Sequence, residues 1–493
     1  MAELAQTVKS ALADGNRLGL LTAHTNAETN KPALVTLLLN PHQGTIALLE
    51  TPLEDWNCSY PSLTSQIPQV HWFERAIFDL FGLYPKGHPR FKSLILHELW
   101  DNSFHPLAGT PIEPGNTVIP RDDYNFMRVE GEGVYEIPVG PIHAGIIEPG
   151  HFRFSCLGEV IQNLEIRLGY QHRGIEQQIT QTPWKRVRFL AESASSDTSA
   201  ANAMAHALAV EQMVGVEPSP RAATLRAIAM ECERISSHIG DLAGICSDIG
   251  YTGGSAVFAR LRGGALGIAE RLSGSRFLSS YILPGGVSRD LPATMRADML
   301  SEVDKLQNEM ERAIPMLMDN SGALDRMEGI GKVRNSLARD FGLVGPAGRA
   351  SGVVYDVRKA FPQDVYSAIP WEIPHYIEGD VLARVRIRVS ELSTSLKFLV
   401  ALLKEMPASG EMNVMLQDEL PSSSVGVGIV EAWRGELIHL LMTDSSGKIE
   451  RYCIKDPSFN NWTGLSIAAR DQLVADFPLC NKSFSLSYSG NDL

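Results

Sequence analysis

Five stretches of the chain have the apolar spacing of an amphipathic helix, and this pattern constrains the fold more than any other feature. They are residues 158–180, 200–216, 222–250, 292–320 and 380–404. Residues three and four apart share one face of a helix, so apolar residues at this spacing bury a stripe against neighbouring helices. The second part of the chain is therefore predicted to be mainly helical.

The first hundred residues follow a different pattern. Short runs rich in Leu, Val and Ile at 18–22, 33–39 and 45–49 are separated by turn residues, which predicts strands. Apolar residues at helical spacing follow from Phe73 to Phe81. We therefore predict a small α/β unit at the start of the chain.

Residues 102–134 are rich in Pro, Gly, Asn and Asp and have little periodicity, which indicates an ordered connection between domains. The expected fold class is α+β, with short strands also at 426–431, 437–442 and 449–454. The predicted division is an α/β domain over 1–102, a linker over 103–134 and a mainly helical domain over 135–493.

Composition excludes several classes of protein. The net charge is −13 and no run of Lys and Arg is interleaved with aromatics, so nucleic acid is not an expected partner. No run of about 18 apolar residues exists and no signal peptide is apparent, so membrane association is expected through partner subunits. The six cysteines form no CxxC pair, which favours reduced, packed thiols over an iron–sulfur or zinc site.

Residues 71–89 combine charges with helical spacing. Glu74 and Arg75 begin a predicted helix, Gly82 suits its C-cap, and His88-Pro89 fits an exit turn. We interpret this segment as a structural motif with charged docking groups.

Two histidines stand in a segment of glycines and prolines. His143 follows Gly140-Pro141, and His151 follows Glu148-Pro149-Gly150. Both side chains are predicted to project from a hairpin-like loop, where an imidazole can exchange a proton near neutral pH. A merely solvated loop histidine is the alternative.

Further polar residues have helical spacing. His172, Arg173 and Glu176 would share one helix face, either as a surface ion pair or as part of a site. A larger set would form either a salt-bridge network or a charge relay along one helix: Glu231, Glu233, Arg234, His238 and Asp241.

The segments around His143 and His151, around His172 and along residues 231–241 occur in the order found in a known family. They resemble the large subunit of group-4 nickel–iron hydrogenases and the quinone-site subunit of respiratory complex I. Residues 71–89 resemble the smaller hydrophilic subunit of complex I, a structural subunit that is often fused to the quinone-site subunit. The resemblance covers nearly the whole chain and implies a hydrogenase large-subunit-like domain.

Hydrogenases of this family hold nickel and iron with two pairs of cysteines. By the resemblance, the first pair falls on Ser195 and Thr198, and the second falls on Ser458 and Asn461. Hydroxyls and an amide cannot replace thiolates on nickel and iron, so we expect this chain to bind no metal. Taken without the resemblance, residues 192–199 are typical of a helix start rich in N-cap residues.

The resemblance also implies candidate functional residues. In complex I a loop histidine and a tyrosine bind quinone, and Ser196 here stands in the place of that tyrosine. Arg434 matches an arginine that approaches the cyanide ligands in hydrogenases, with Trp433 replacing a proline. The candidate catalytic residues are His143, Glu148, His151, His172, Arg173, Glu176 and Arg434, and the expected cavity lining is His143, Ser195, Ser196, Thr198, Ser458 and Asn461.

The expected function follows from the resemblance. The chain would be a peripheral-arm subunit of a membrane-bound energy-converting oxidoreductase complex, coupling redox or conformational change to ion translocation. It would lie on the cytoplasmic face of the bacterial inner membrane, between an iron–sulfur small subunit and antiporter-like membrane-arm subunits. The alternatives are a quinone-reducing subunit of a complex I-like NADH dehydrogenase, with quinone as its ligand, and a non-catalytic scaffold.

Overall fold

The computed structural model describes residues 1–26, 29–56, 58–108, 124–143, 147–362, 364–367 and 369–493. The helices are α1 (Ala2–Ala13), α2 (His71–Phe81), α3 (Ile175–Thr180), α4 (Trp184–Ser193), α5 (Ser199–Val214), α6 (Pro220–Asp248), α7 (Thr252–Ser273), α8 (Ala293–Met318), α9 (Ser321–Met327), α10 (Asn335–Asp340), α11 (Gly345–Ala350), α12 (Val357–Ala360), α13 (Asp364–Ser367), α14 (Val381–Glu405), α15 (Pro457–Ala468) and α16 (Phe477–Phe484). The strands are β1 (Arg17–Asn26), β2 (Lys31–Asn40), β3 (Thr45–Pro52), β4 (Ser59–Pro61), β5 (Tyr84–Lys86), β6 (Val134–Val139), β7 (His151–Leu157), β8 (Val160–Arg167), β9 (Ile282–Leu283), β10 (Gly286–Val287), β11 (Val425–Ala432), β12 (Gly435–Thr443) and β13 (Ile449–Lys455).

The longest helix, α6, forms the centre of the helical part. It begins where the Ser219 hydroxyl accepts a hydrogen bond from the amide of Ala222, with Pro220 at the first helical position. Helices α7, α14 and α16 pack around it, so most of its side chains are buried. The predicted helices α5, α6, α8 and α14 are confirmed. The sequence pattern missed α7, whose five glycines lower its intrinsic helix propensity.

Residues 158–180 do not form the single helix that their spacing predicts. Strands β7 and β8 pair as an antiparallel hairpin, with Gly158 in the left-handed region at φ 58°. The side chains of β8 are buried on its core face, including Ile161 and Leu164. Helical structure is limited to α3, because the β8 segment satisfies its backbone groups across the hairpin instead.

The small sheets pack against the helices and against one another. Strands β1, β2 and β3 form one antiparallel sheet, and β11, β12 and β13 form another, as predicted. The two sheets share a core, in which Leu37 and Ile438 are fully buried. They approach so closely that a Cβ at Gly19 would lie 3.0 Å from Cδ1 of Ile438. The α+β class is confirmed, and the first unit packs directly on the second.

Two further observations bear on the composition. All six cysteines are free thiols, and five of them are buried. Within the described ranges, no helix has the length and apolar character needed to cross a membrane.

Candidate functional site

The first pair of predicted ligand positions lies between α4 and α5. Ser196–Thr198 form a single 3-10 turn, and Ser195 precedes it in an extended conformation. The Ser195 hydroxyl donates to Oδ1 of Asp197 at 2.9 Å, and the Thr198 hydroxyl donates to the same oxygen at 3.0 Å. Both hydroxyls therefore point towards the carboxylate of Asp197, which lies in the same 3-10 turn.

The second pair lies in the first turns of α15. Asp456 caps this helix by accepting from the amide of Ser458 at 2.7 Å. The Asn461 side chain accepts from the Val344 amide at 3.1 Å and donates to the Val344 carbonyl at 3.2 Å. Its amide is thus fully engaged with the backbone before α11.

One residue connects the two pairs. The amide of Ser487 donates to the Ser458 hydroxyl at 2.9 Å, and its own hydroxyl lies 3.1 Å from that of Ser195. The segment after α16 therefore lies between the two pairs of predicted ligand positions.

Asp197 makes the strongest electrostatic contact of the site. Arg434, in the turn between β11 and β12, donates from Nη1 to Oδ1 at 2.8 Å and from Nη2 to Oδ2 at 2.6 Å. The guanidinium also lies 3.8 Å from the ring centre of Trp433, and the Trp433 indole donates to the Asp197 carbonyl at 3.0 Å. Burial alone would raise the pKa of Asp197, but Arg434 outweighs it and holds that pKa well below its usual range.

This pair was not predicted. Sequence reasoning identified Arg434 by family position but passed over Asp197, although an acid between two vacated ligand positions was a usable signal. The side chain of Arg434 is 6% exposed and that of Asp197 is 45% exposed. The guanidinium of Arg434 is therefore buried, whereas the carboxylate of Asp197 is partly exposed to solvent.

The donor set does not fit a nickel–iron centre. The four positions offer three hydroxyls and one amide, and the neighbouring carboxylate is already paired with Arg434. Nickel and iron in such centres need soft thiolate ligands, and these oxygens are hard. In the described part of the chain, no group of three or more His, Cys, Asp or Glu side chains is placed to hold a metal ion.

The loop between β6 and β7 closes over the same region. Nε2 of His143 lies 2.9 Å from the Gly150 carbonyl, and Nδ1 of His151 lies 2.9 Å from the Gly140 carbonyl. His151 begins β7 and is buried, which lowers its pKa. His143 lies in the connection between β6 and β7, as predicted, whereas the prediction that the His151 side chain projects from a loop is wrong, because His151 belongs to β7 and is buried. Residues 144–146 of this connection lie outside the described residues.

Glu148 links this loop to the segment after α16. One of its carboxylate oxygens accepts from the amides of Tyr488 and Ser489, at 3.1 and 3.4 Å. Glu148 thus contacts the two residues that follow Ser487, and the Ser487 hydroxyl in turn contacts that of Ser195.

His172, Arg173 and Glu176 do not share a helix face. Gly174, in the left-handed region at φ 63°, is the N-cap of α3, so His172 and Arg173 precede the helix. Arg173 donates to the carbonyls of Ser193 and Ala194 at 2.7 and 2.9 Å, which braces the chain just before Ser195.

Glu176 points away from this region into the core. It accepts from Arg451 at 2.7 Å and from the amide of Ile454 at 2.9 Å. The three residues are therefore not brought together: Arg173 supports the site, whereas Glu176 fixes strand β13 to α3.

The five residues predicted to form a network, Glu231, Glu233, Arg234, His238 and Asp241, all lie on α6, as predicted, and all five are buried. Their predicted pairing along the helix is wrong apart from Glu231 and Arg234, whose nearest atoms lie 3.4 Å apart. His238 instead contacts Glu391 at 2.9 Å. Because these side chains face the core and not solvent, their partners lie on neighbouring elements.

Glu233 connects α6 to the site. Its carboxylate accepts from the amides of Ala200 and Ala201 at 2.7 and 3.2 Å, which caps α5 directly behind Thr198. Burial raises the pKa of Glu233 to about 8. A helix start rich in Ser and Thr is thus capped by a side chain from another helix.

The ion pairs beyond α6 form a buried network that the sequence did not reveal. Its members, besides Glu231, Arg234 and His238, are Arg349, Asp356, Arg358, Glu391 and Glu431. Burial raises the pKa of Glu431 to about 7, and the nearby Asp356 adds to this effect. The acids and arginines of this cluster compensate one another, which offsets the cost of burying their charges.

Comparisons with known proteins agree with this geometry. Residues 248–425 match the family described as "Respiratory-chain NADH dehydrogenase, 49 Kd subunit", and residues 1–110 match "Respiratory-chain NADH dehydrogenase, 30 Kd subunit". These matches and the helical core are those of a large subunit of the hydrogenase and complex I type.

Similar proteins cover almost the whole chain. It is 32% identical to "Formate hydrogenlyase subunit 5" of Escherichia coli over 97% of this chain and 85% of that protein. It is 32% identical to "Hydrogenase-4 component G" of Escherichia coli over 88% and 76% of the two chains. It is 26% identical to an NADH-quinone oxidoreductase subunit of Proteus mirabilis over 87% and 79%. The chain therefore belongs to the superfamily of group-4 hydrogenases and complex I, with the 30 Kd-like and 49 Kd-like parts fused.

Proposed function

We propose that the chain is a peripheral-arm subunit of a membrane-bound energy-converting oxidoreductase complex and binds no nickel–iron centre. The relatives named above are a subunit of formate hydrogenlyase, a component of hydrogenase-4 and a subunit of NADH-quinone oxidoreductase. The observation that carries the proposal is the Asp197–Arg434 ion pair, with the hydroxyls of Ser195 and Thr198 bonded to the same carboxylate.

The role proposed for the chain is to couple redox or conformational change in its neighbours to ion movement. Electron transfer would take place in an iron–sulfur small subunit against the face where Asp197 is exposed. Ion translocation would take place in antiporter-like subunits, which would hold this chain at the cytoplasmic face of the bacterial inner membrane. The buried charges of α6 lie between, and they are the proposed relay.

Metal analysis of the intact complex tests the proposal. We expect nickel far below one atom per chain, with iron and sulfide accounted for by the partner clusters. Stoichiometric nickel that stays bound after gel filtration would overturn it. A second measurement follows ion uptake into membrane vesicles during electron flow, and absence of uptake would contradict the coupling role.

Quinone reduction by this chain is the enzymatic alternative. The site geometry disfavours it, because Ser487 and the amides of Tyr488 and Ser489 already occupy the contacts between Ser195 and Glu148. Binding of a quinone analogue to the complex, compared between the native chain and His143→Ala, separates the two. A large loss of binding in His143→Ala would favour quinone reduction, whereas unchanged binding would count against a quinone at this loop.

A further inference from the structure

Ser485 contacts both Arg434 of the site and Asp241, a buried acid of α6. Its carbonyl accepts from Nε of Arg434 at 2.5 Å, and its hydroxyl donates to Oδ1 of Asp241 at 2.6 Å. The remaining guanidinium nitrogens of Arg434 hold Asp197. A continuous set of hydrogen bonds therefore runs from Asp197 through Arg434 and Ser485 to Asp241.

Asp241 is an anion held by two cations from two helices. Nε of Arg388 on α14 lies 2.8 Å from Oδ2, and Nζ of Lys482 on α16 lies 3.3 Å from Oδ1. Burial would raise the pKa of Asp241, but Lys482 and Arg388 outweigh it and lower the pKa to about 2. Asp241 therefore keeps its charge, and its contacts respond to any displacement of the groups bonded to it.

The connection continues along α14. Arg388 also donates to the carbonyl of Arg384 at 3.2 Å. Arg384 in turn donates to the Ser483 hydroxyl at 2.9 Å and to the carbonyl of Gly379 at 2.8 Å. The path from the site thus reaches the start of a helix of 25 residues.

The backbone of Ser485 indicates that its hydroxyl has a role. Ser485 lies just after α16 in the left-handed region, at φ 54° and ψ 49°. Glycine adopts this conformation most readily and is the usual residue after a helix end of this kind. A serine here is explained by the hydrogen bond to Asp241, which a glycine could not make.

We propose that Ser485 is a positioning residue that couples the Asp197–Arg434 pair energetically to the charges around Asp241. The proposal rests on the proposed coupling function, because it names the link between the redox-facing site and the buried relay. It concerns a residue outside the predicted relay and outside the vacated ligand positions. Because Arg434 and Asp241 are both bonded to Ser485, substitutions of Asp241 and Ser485 are expected to have non-additive effects on the backbone around Arg434. A double-mutant comparison tests this.

Hydrogen exchange measured by mass spectrometry on the intact complex tests the link without reference to activity. The chains compared are the native one, Ser485→Ala, Asp241→Asn and the double variant. Asp241→Asn is expected to raise exchange in the peptide containing residues 433–435 by about fivefold, as for the loss of one hydrogen bond. On the Ser485→Ala background the same change is expected to add nothing. Equal effects on both backgrounds, or no effect on either, would overturn the proposal.

Two further variants separate the hydroxyl from the fold. Ser485→Gly removes the hydroxyl but favours the left-handed backbone, so it should behave as Ser485→Ala does in the exchange experiment. Native-like coupling in Ser485→Gly would overturn the proposal. Ser351→Ala is the matched control, since it removes another buried hydroxyl, one that donates to the carbonyl of Ala347 at 3.2 Å and has no part in this connection. It should leave exchange at 433–435 unchanged, and an increase equal to that of Ser485→Ala would count against a specific link.

Ion movement provides the functional readout. In membrane vesicles, Ser485→Ala should lower the number of ions moved per electron while electron transfer continues. An unchanged ratio in this variant would overturn the proposal. If the native complex moves no ions at all, the proposed function fails, while the exchange experiment still decides whether Ser485 links the two charge groups.

Discussion

Arg434 holds the carboxylate of Asp197 through two hydrogen bonds, of 2.8 and 2.6 Å, between the predicted ligand positions Ser195 and Thr198. A guanidinium that is 6% exposed needs a counter-charge, because an unpaired buried charge is strongly unfavourable. The carboxylate supplies that charge from within the chain. The chain therefore supplies an internal anion that stabilises the buried arginine.

Asp197→Ala is expected to destabilise the chain more than Asp197→Asn. Breaking a fully buried pair costs about 3–5 kcal/mol, and the 45% exposure of Asp197 reduces this to roughly 1–2 kcal/mol through solvent screening. The asparagine oxygen can still accept from Arg434, Ser195 and Thr198, so its effect should be smaller. Thermal unfolding of the complex, followed on this subunit, measures both. Equal midpoints for the native chain and Asp197→Ala would show that Arg434 does not depend on this partner.

The stability of the chain is expected to fall as the pH rises towards 8, and Glu233 is a main cause. Burial raises its pKa to about 8 in the folded chain, above its ordinary value of 4.5. Between these values the unfolded chain ionises Glu233 while the folded chain does not, so the free energy of unfolding decreases with pH. Glu233→Gln should reduce this slope by up to about one proton between pH 5 and 8. The glutamine oxygen still accepts from the start of α5.

Denaturant unfolding at several pH values gives the slope directly. Glu3→Gln is the control, since Glu3 is exposed on α1 and should leave the slope unchanged. A Glu233→Gln chain with the native pH dependence would show that Glu233 is already ionised when folded.

Long periodic segments were predictable from the sequence, and the pairings between them were not. Helices α5, α6, α8 and α14 follow from apolar spacing because each buries one face in the core. Residues 158–167 were wrongly predicted to be helical. A short run of mixed apolar and polar residues fits the spacing of a helix and the alternation of a strand equally well. Pairing with β7 makes this run a strand.

The site shows the same limit. The ligand positions and Arg434 remain predictions from the family resemblance, whereas the acids of α6 were placed on one helix from their spacing, and the structure confirms that placement. Asp197 was missed, because its role depends on the turn that brings it under Arg434 from a distance of more than two hundred residues. The intrahelical pairing predicted for α6 failed for a related reason: spacing fixes which residues share a helix but not which neighbouring element supplies the partner.

Glu74 is expected to matter for stability and not for coupling. Its buried carboxylate accepts from the hydroxyls of Ser62 and Thr64, each at 2.6 Å, and from the amide of Leu63 at 2.8 Å. Glu74→Ala leaves these donors unpaired, which should cost about 3 kcal/mol or more. Thermal unfolding should show the loss, whereas the ratio of ions moved per electron in surviving complex should stay native. A changed ratio would contradict the structural interpretation of this motif.

A buried tyrosine between two histidines provides the last prediction. The Tyr452 hydroxyl lies 2.9 Å from Nδ1 of His206 and 2.7 Å from Nδ1 of His439. His439 also contacts Asn202 at 3.1 Å, and Asn202 donates to the carbonyl of Thr198 at 2.9 Å. Tyr452→Phe leaves two buried imidazole nitrogens without partners, which should lower the free energy of unfolding by roughly 2–4 kcal/mol.

The loss in Tyr452→Phe should be nearly constant from pH 7 to pH 8. Burial lowers the pKa of His206 to about 4 and that of His439 well below its ordinary value, so both rings are neutral in the folded chain over this range. The neutral rings of His206 and His439 contribute stability that is lost as the pH falls below about 6.5, because unfolding then allows both rings to take up a proton. This contribution is opposite in sign to that of Glu233. Tyr135→Phe is the matched control: its exposed hydroxyl donates to the Gly158 carbonyl at 2.8 Å, so its loss should cost less than about 0.5 kcal/mol. Denaturant unfolding of both variants gives the comparison, and similar losses in the two would mean that the buried hydroxyl contributes no more than a surface one.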